Sequence, residues 1–77
     1  MKGDGEMTKK GTAVFIKRER GFGFIRDTED KRDYFFPANE LLEGDFDNIQ
    51  VGDVLTFTAT TDHMNRPKAI EIKIVEN

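Results

Sequence analysis

Phe22 and Phe24 stand two residues apart in the segment RGFGFI, with Gly23 between them. If this segment is a β-strand, both rings point to the same side and form a flat apolar surface. The opposite side carries only glycines and Ile25, so we expect Ile25 in the core and the two rings outside it. Neighbouring exposed rings are costly to keep in water, and they mark a binding surface.

Basic residues directly precede these rings. Residues 1–26 carry seven Lys and Arg against three Asp and Glu, whereas residues 27–62 carry two against ten. The net charge of -3 argues against general affinity for polyanions. A local basic cluster beside exposed rings nevertheless predicts that Lys17, Arg18 and Arg20 contact phosphates.

The composition excludes several kinds of chemistry. The chain has no cysteine, no serine and a single histidine, His63. Thiolate metal sites, disulfides and cysteine or serine nucleophiles are therefore excluded, and no phosphate-cradling glycine loop or spaced set of metal ligands is present. We expect no enzymatic activity, no cofactor and no metal. No apolar run has the length of a signal peptide or a membrane span, so we expect a cytoplasmic protein that binds no membrane. A monomer is the default expectation.

The chain divides into a polar leader and one small domain. Residues 1–10 are polar and aperiodic, and we predict that they are disordered, with the domain covering residues 11–77. From there, short β-branched and aromatic runs alternate with polar turns, a pattern typical of all-β proteins. The predicted strands are residues 11–18, 21–27, 33–37, 53–61 and 68–75. A helical turn is expected near residues 39–42, in the long connection between the third and fourth strands.

Alternation with period two assigns one face of each strand to the core. Apolar residues alternate with threonine in the fourth strand, and isoleucine alternates with charged residues in the fifth. In the third strand Phe35 and Pro37 are expected outside. The predicted inner residues of the last three strands are Tyr34, Phe36, Leu55, Phe57, Ala59, Ile70, Ile72 and Ile74. Five short antiparallel strands without a long helix favour a closed barrel, which removes exposed edges.

Arg20–Ile25 also matches the start of the RNP1 consensus, K/R-G-F/Y-G/A-F-V, although Asp27 replaces its last aromatic. An RRM would carry its second aromatic motif upstream and would need two helices. Here the second cluster, Tyr34–Phe36, lies downstream across a hairpin. GTAVFIKRERGFGFI is similar to G-T-V-K-W-F-N-x-x-K-G-F-G-F-I, and RDYFFPANEL to D-V-F-V-H-F-S-A-I. From Gly11 to Val75 the chain therefore resembles the bacterial cold-shock domain.

This resemblance implies an all-β, five-stranded antiparallel OB-fold barrel that binds single-stranded RNA or DNA with low sequence selectivity. It implies that Phe22, Phe24 and Phe35 are the central stacking rings and that Arg20 fills the lysine position of the motif. Phe46 corresponds to a loop aromatic that closes over bases. The complete set of candidate nucleic-acid-binding residues is Phe15, Lys17, Arg18, Arg20, Phe22, Phe24, Phe35, Pro37, Phe46 and Arg66.

The chain also departs from the family pattern. Phe15 replaces a tryptophan, Val14 replaces a lysine, and Pro37-Ala38 replaces a His-Phe pair. Losing two stacking contacts would weaken binding by about 2 to 6 kcal/mol, or roughly one to four decades. We predict a single-stranded nucleic-acid chaperone. The alternatives are an OB barrel that binds a partner protein through the same apolar surface, and an oligosaccharide-binding OB domain.

Overall fold

The β-branched and aromatic runs form strands in the computed structural model, which describes residues 8–75. Turn chemistry separates the strands. Gly21 has φ 74° after the first strand, and Asn65 has φ 66° in the last hairpin, and both are residue types that tolerate the left-handed region. The strands are β1 (Thr8–Lys17), β2 (Phe22–Asp27), β3 (Asp33–Pro37), β4 (Val54–Thr61) and β5 (Pro67–Ile74), and the 3₁₀ turns are η1 (Arg18–Arg20), η2 (Ala38–Glu40) and η3 (Phe46–Asn48).

The five strands close into a barrel in the order β1-β2-β3-β5-β4, as the sequence predicts. Four neighbouring pairs are antiparallel, as predicted, and the structure differs from the predicted antiparallel barrel at one pair, since β3 and β5 are parallel. The reason is geometric, because a closed ring with an odd number of strands cannot alternate direction at every neighbour.

Four of the five predicted strands agree with the structure to within one residue at each end. β1 differs, since it begins at Thr8 and pairs with β4 from Thr8 opposite Thr58 onward. Residues 8–10 therefore belong to the barrel and not to a disordered leader, and residues 1–7 lie outside the described residues. The helical turn expected near residues 39–42 is the 3₁₀ turn η2. Among residues 8–75, no helix is long and apolar enough to cross a membrane.

An ion pair explains why β1 starts early. The Asp27 side chain is only 1% exposed, and Lys9 Nζ lies 2.7 Å from its Oδ2. The backbone N–H of Glu29 donates to the other carboxylate oxygen. The hydrogen bond from Lys9, followed by that from Glu29, holds the pKa of Asp27 below its usual value. The extension of β1 to Lys9 thus supplies the cation that compensates the buried carboxylate.

The barrel interior contains the predicted inner residues of β3 and β4, together with Ala13, Ile25 and Ile49. Strand β5 differs from the prediction. Lys73 pairs with Thr56 but Ile70 pairs with Thr58, so β5 has one extra residue in a bulge, where Glu71 adopts φ 52°. The bulge reverses the alternation. Ala69 is buried in the core and Ile70 is not, which corrects the predicted inward position of Ile70.

Candidate nucleic-acid interface

Four phenylalanines form one cluster on the outer face of β1, β2 and β3. Neighbouring ring centroids are 5.6 to 6.3 Å apart, and the interplanar angles range from 34° to 89°. On β2, Gly23 and Ile25 face inward and are buried, as the sequence predicts. The four rings are called the aromatic shelf below, and its members are Phe15, Phe22, Phe24 and Phe35.

A bulge in β1 places Phe15 on the shelf. Ala13 is paired with Ile25 and Phe15 with Phe24, so Val14 is an extra residue in the ladder. Without it, strict alternation from the buried Ala13 would direct Phe15 into the core. The bulge instead leaves Phe15 outside, with 45% of its surface exposed, and turns Ile16 toward the core.

Two glycines allow β2 to carry its rings in this position. At Gly23, a Cβ atom would overlap the carbonyl oxygen of Phe15, so only glycine permits the close approach of β1 and β2. Gly21 has φ 74°, and its N–H donates to the carbonyls of Lys17 and Arg18 at 3.0 and 3.2 Å. The RGFGF motif thus combines a tight turn, a close strand contact and two outward rings.

The three basic residues before the shelf have different roles. Lys17 and Arg20 are exposed, and Lys17 lies 3.5 Å from Glu19 in a surface ion pair. Arg18 instead donates to the carbonyl oxygens of Phe46, Asp47 and Ile49 at 2.9 to 3.0 Å. Its guanidinium therefore holds η3 against the β1–β2 turn, and the phosphate contact predicted for Arg18 stays a prediction.

The remaining predicted residues lie on two sides of the shelf. Pro37 is paired with Phe22 on the outer face of β3 and borders the shelf. Phe46 does not join it. Its ring packs against Phe36 with centroids 5.6 Å apart and contacts the core, so in this structure Phe46 covers one end of the barrel.

Arg66 lies at a cleft of about 470 Å³ next to the shelf. Its Nε donates to Asp62 Oδ2 at 3.0 Å. Asp62 also accepts the backbone N–H groups of Met64 and Arg66, and the hydrogen bond from the Arg66 backbone contributes most to lowering the Asp62 pKa. The β4–β5 turn is therefore held in a fixed shape. The cleft is lined by Phe24, Asp33, Phe35, Asp62, Arg66 and Pro67.

Sequence reasoning missed two basic residues beside the shelf. Lys68 is paired with Phe35 across the parallel contact of β3 and β5, and its neighbour Ala69 is buried, so Lys68 belongs to the outer row. Only knowledge of that strand pairing would have identified it. Arg26 shares its face with Phe22 and Phe24, and alternation along β2 alone would have found it.

Comparisons with known proteins agree with this geometry. Residues 9–75 match the family profile described as the 'Cold-shock' DNA-binding domain. The chain is 30% identical over 64 residues to Cold shock domain-containing protein 4 of Arabidopsis thaliana, a match that covers 83% of this chain and 32% of that protein. It is also similar to the solved structure of Drosophila Unr CSD456, with 33% identity, a TM-score of 0.77, and coverage of 94% of this chain and 28% of the other.

The chain thus spans about a third of the length of these relatives. Both relatives are eukaryotic, so the cold-shock resemblance is confirmed but the bacterial assignment is not supported. The closed five-stranded barrel is the fold expected of that family. On the match over residues 9–75, this chain belongs to the cold-shock domain family of nucleic-acid-binding domains.

Proposed function

We propose that this domain binds single-stranded RNA or DNA by stacking successive bases on the aromatic shelf. The proposal depends on the position of four rings on the outer face of three adjacent strands. If this face had no ligand, polar side chains would be expected there. Every base has a π-face, so stacking tolerates many sequences. In a duplex those faces are already covered, which gives the surface its selectivity for single strands.

The charges beside the shelf suit this mode of binding. Lys17 and Arg20 lie at the β1–β2 turn, and Lys68 lies beyond Phe35 on the other side. A strand crossing the shelf would place phosphates near cations at both borders, while the acidic residues 40–53 repel nucleic acid elsewhere. Two or three phosphate contacts give a salt dependence of about 1.4 to 2.1 log units per log salt.

A nucleic-acid chaperone binds single strands with low sequence selectivity and does not bind duplexes, and base stacking on the shelf would have both properties. A protein of this kind captures transiently unpaired bases and so shifts weak RNA structures toward the open state. We therefore assign chaperone activity on short RNA hairpins as the function of the shelf.

The test is an NMR titration of the ¹³C-labelled domain with oligothymidine, with oligouridine, and with a duplex of the same length. We expect ring resonances of Phe15, Phe22, Phe24 and Phe35 to shift with both single strands and not with the duplex. Leu42, which is 57% exposed and outside the shelf, supplies a reference signal that stays constant. The proposal fails if neither single strand moves the shelf resonances, and the shelf would then be a docking surface for a partner protein.

A further inference from the structure

The outer face of β2 and β3 continues past the shelf with a flat ion pair. Along these strands, Phe22 is opposite Pro37, Phe24 is opposite Phe35, and Arg26 is opposite Asp33. Residues two apart on a strand are separated by about 6.6 Å. Arg26 and Asp33 therefore form the next row after the central rings of the shelf.

Asp33 holds the Arg26 guanidinium through two contacts. Nε lies 2.8 Å from Oδ1 and Nη2 lies 3.3 Å from Oδ2, which is the forked geometry that makes the guanidinium and carboxylate coplanar. The hydrogen bond that Arg26 donates to Asp33 also raises the pKa of Arg26 above its ordinary value. The pair thus presents the planar guanidinium of Arg26 at the surface, held by two contacts to Asp33.

Both side chains of this pair are accessible to a ligand, and each borders a depression. The side chains of Arg26 and Asp33 are 51% and 43% exposed. Asp33 borders the cleft of about 470 Å³ that Phe24 and Phe35 also line. On the β1 side, Arg26 borders a smaller depression of about 150 Å³ with Thr12, Val14 and Lys31.

We infer that Arg26, held flat by Asp33, is a further stacking position for a nucleic-acid base, and this inference rests on the proposed function. Guanidinium planes stack on bases much as aromatic rings do. A phosphate is a poor ligand here, because it would meet the negative charge of Asp33 within the same group. A base is neutral and flat, and it fits both the charge and the shape. The row lengthens the footprint by one nucleotide.

The first test compares Arg26→Lys with Arg26→Gln by titrating each against oligothymidine long enough to cross the shelf. Lysine keeps the positive charge but has no planar guanidinium group. Glutamine has neither the charge nor the guanidinium group with its paired N–H donors. We expect both variants to lose about fivefold or more in affinity, with no change in salt slope. If Arg26→Lys binds like the wild type while Arg26→Gln lowers the salt slope by about 0.7, Arg26 is a phosphate ligand and the inference is wrong.

The second test is spectroscopic and does not depend on stability. Stacking a base on the guanidinium produces a ring-current shift of the Arg26 Hε signal, and an unchanged Hε signal at saturation would overturn the inference. Phe24→Ala, measured in parallel, separates the two proposals. If Phe24→Ala weakens binding and the Arg26 variants do not, only the stacking role of Arg26 fails; if none of them weakens binding, the proposed function fails as well.

Discussion

Phe24 is the central ring of the shelf, and its removal gives the most direct measure of base stacking. Its centroid lies 6.2 Å from those of Phe15 and Phe22 and 6.0 Å from that of Phe35. The Phe24 side chain carries no charge and makes no hydrogen bond. A change in affinity after its removal therefore reports the loss of the ring alone. One base stacked on an aromatic side chain is worth about 1 to 3 kcal/mol. We therefore expect Phe24→Ala to raise the Kd for oligothymidine by roughly 5- to 150-fold.

Loss of the ring also affects folding, and the design must separate the two effects. Each aromatic pair contributes about 0.5 to 1.5 kcal/mol to stability, and Phe24 takes part in three. Phe24→Leu keeps most of the apolar volume without the ring, and it serves as the second variant. Leu42→Ala removes an exposed apolar side chain outside the shelf and is the matched control.

The assay is fluorescence anisotropy of a labelled oligothymidine at fixed salt, accompanied by urea unfolding of every variant. Both Phe24 variants should bind weakly under conditions in which they are folded, and Leu42→Ala should bind like the wild type. A Kd within twofold of the wild type for folded Phe24→Ala and Phe24→Leu would refute the argument that bases stack on this ring.

Three further predictions concern the parts of the barrel that support the shelf. Because the pKa of Asp27 is lower folded than its ordinary value of 3.8, its contribution to stability is present above that value and is lost as the pH falls through and below it. Urea midpoints measured against pH should show this acid loss in the wild type, whereas Lys9→Met should be less stable at neutral pH and should show a smaller acid loss, because the hydrogen bond from Glu29 remains. Gly23→Ala should lower both the thermal midpoint and the affinity, because the added methyl overlaps the Phe15 carbonyl; an unchanged ¹⁵N spectrum would contradict this. Arg18→Met should speed amide exchange in residues 46–49, because Arg18 binds the carbonyls of residues 46, 47 and 49, and it should leave the salt slope for oligothymidine unchanged, whereas a phosphate ligand would lower it by about 0.7.

Much of the architecture could be predicted because period-two alternation is local. The inner residues of β3 and β4 follow directly from it, and so does the outward position of Phe22 and Phe24. Alternation fails at bulges, since an extra residue has no signature in the composition. The bulge at Glu71 reversed the face of Ile70, and the bulge at Val14 put Phe15 outside, a position that only the family resemblance had indicated.

Contacts between side chains and partners far apart in the sequence also could not be predicted. Arg18 donates to three carbonyls about thirty residues away in the sequence, and its position beside the shelf gave no sign of these hydrogen bonds. The pairing of Lys9 with Asp27 likewise depends on the folded barrel. Local charge patterns thus located the basic region, but only the tertiary contacts distinguish a cation that faces solvent from one that holds a loop.

The parallel contact between β3 and β5 has a consequence for how the barrel opens. Within residues 8–75, the ladder joins these two strands at one position, Phe35 opposite Lys68, whereas the other neighbours share longer ladders. We therefore expect local opening of the barrel to begin with separation of β3 from β5. A nucleic-acid strand that contacts both Phe35 and Lys68 would span this pair of strands. Its binding would therefore favour the closed barrel, and the closed barrel would favour its binding. Under the proposed function, a bound single strand would therefore stabilise the barrel at its shortest strand pairing.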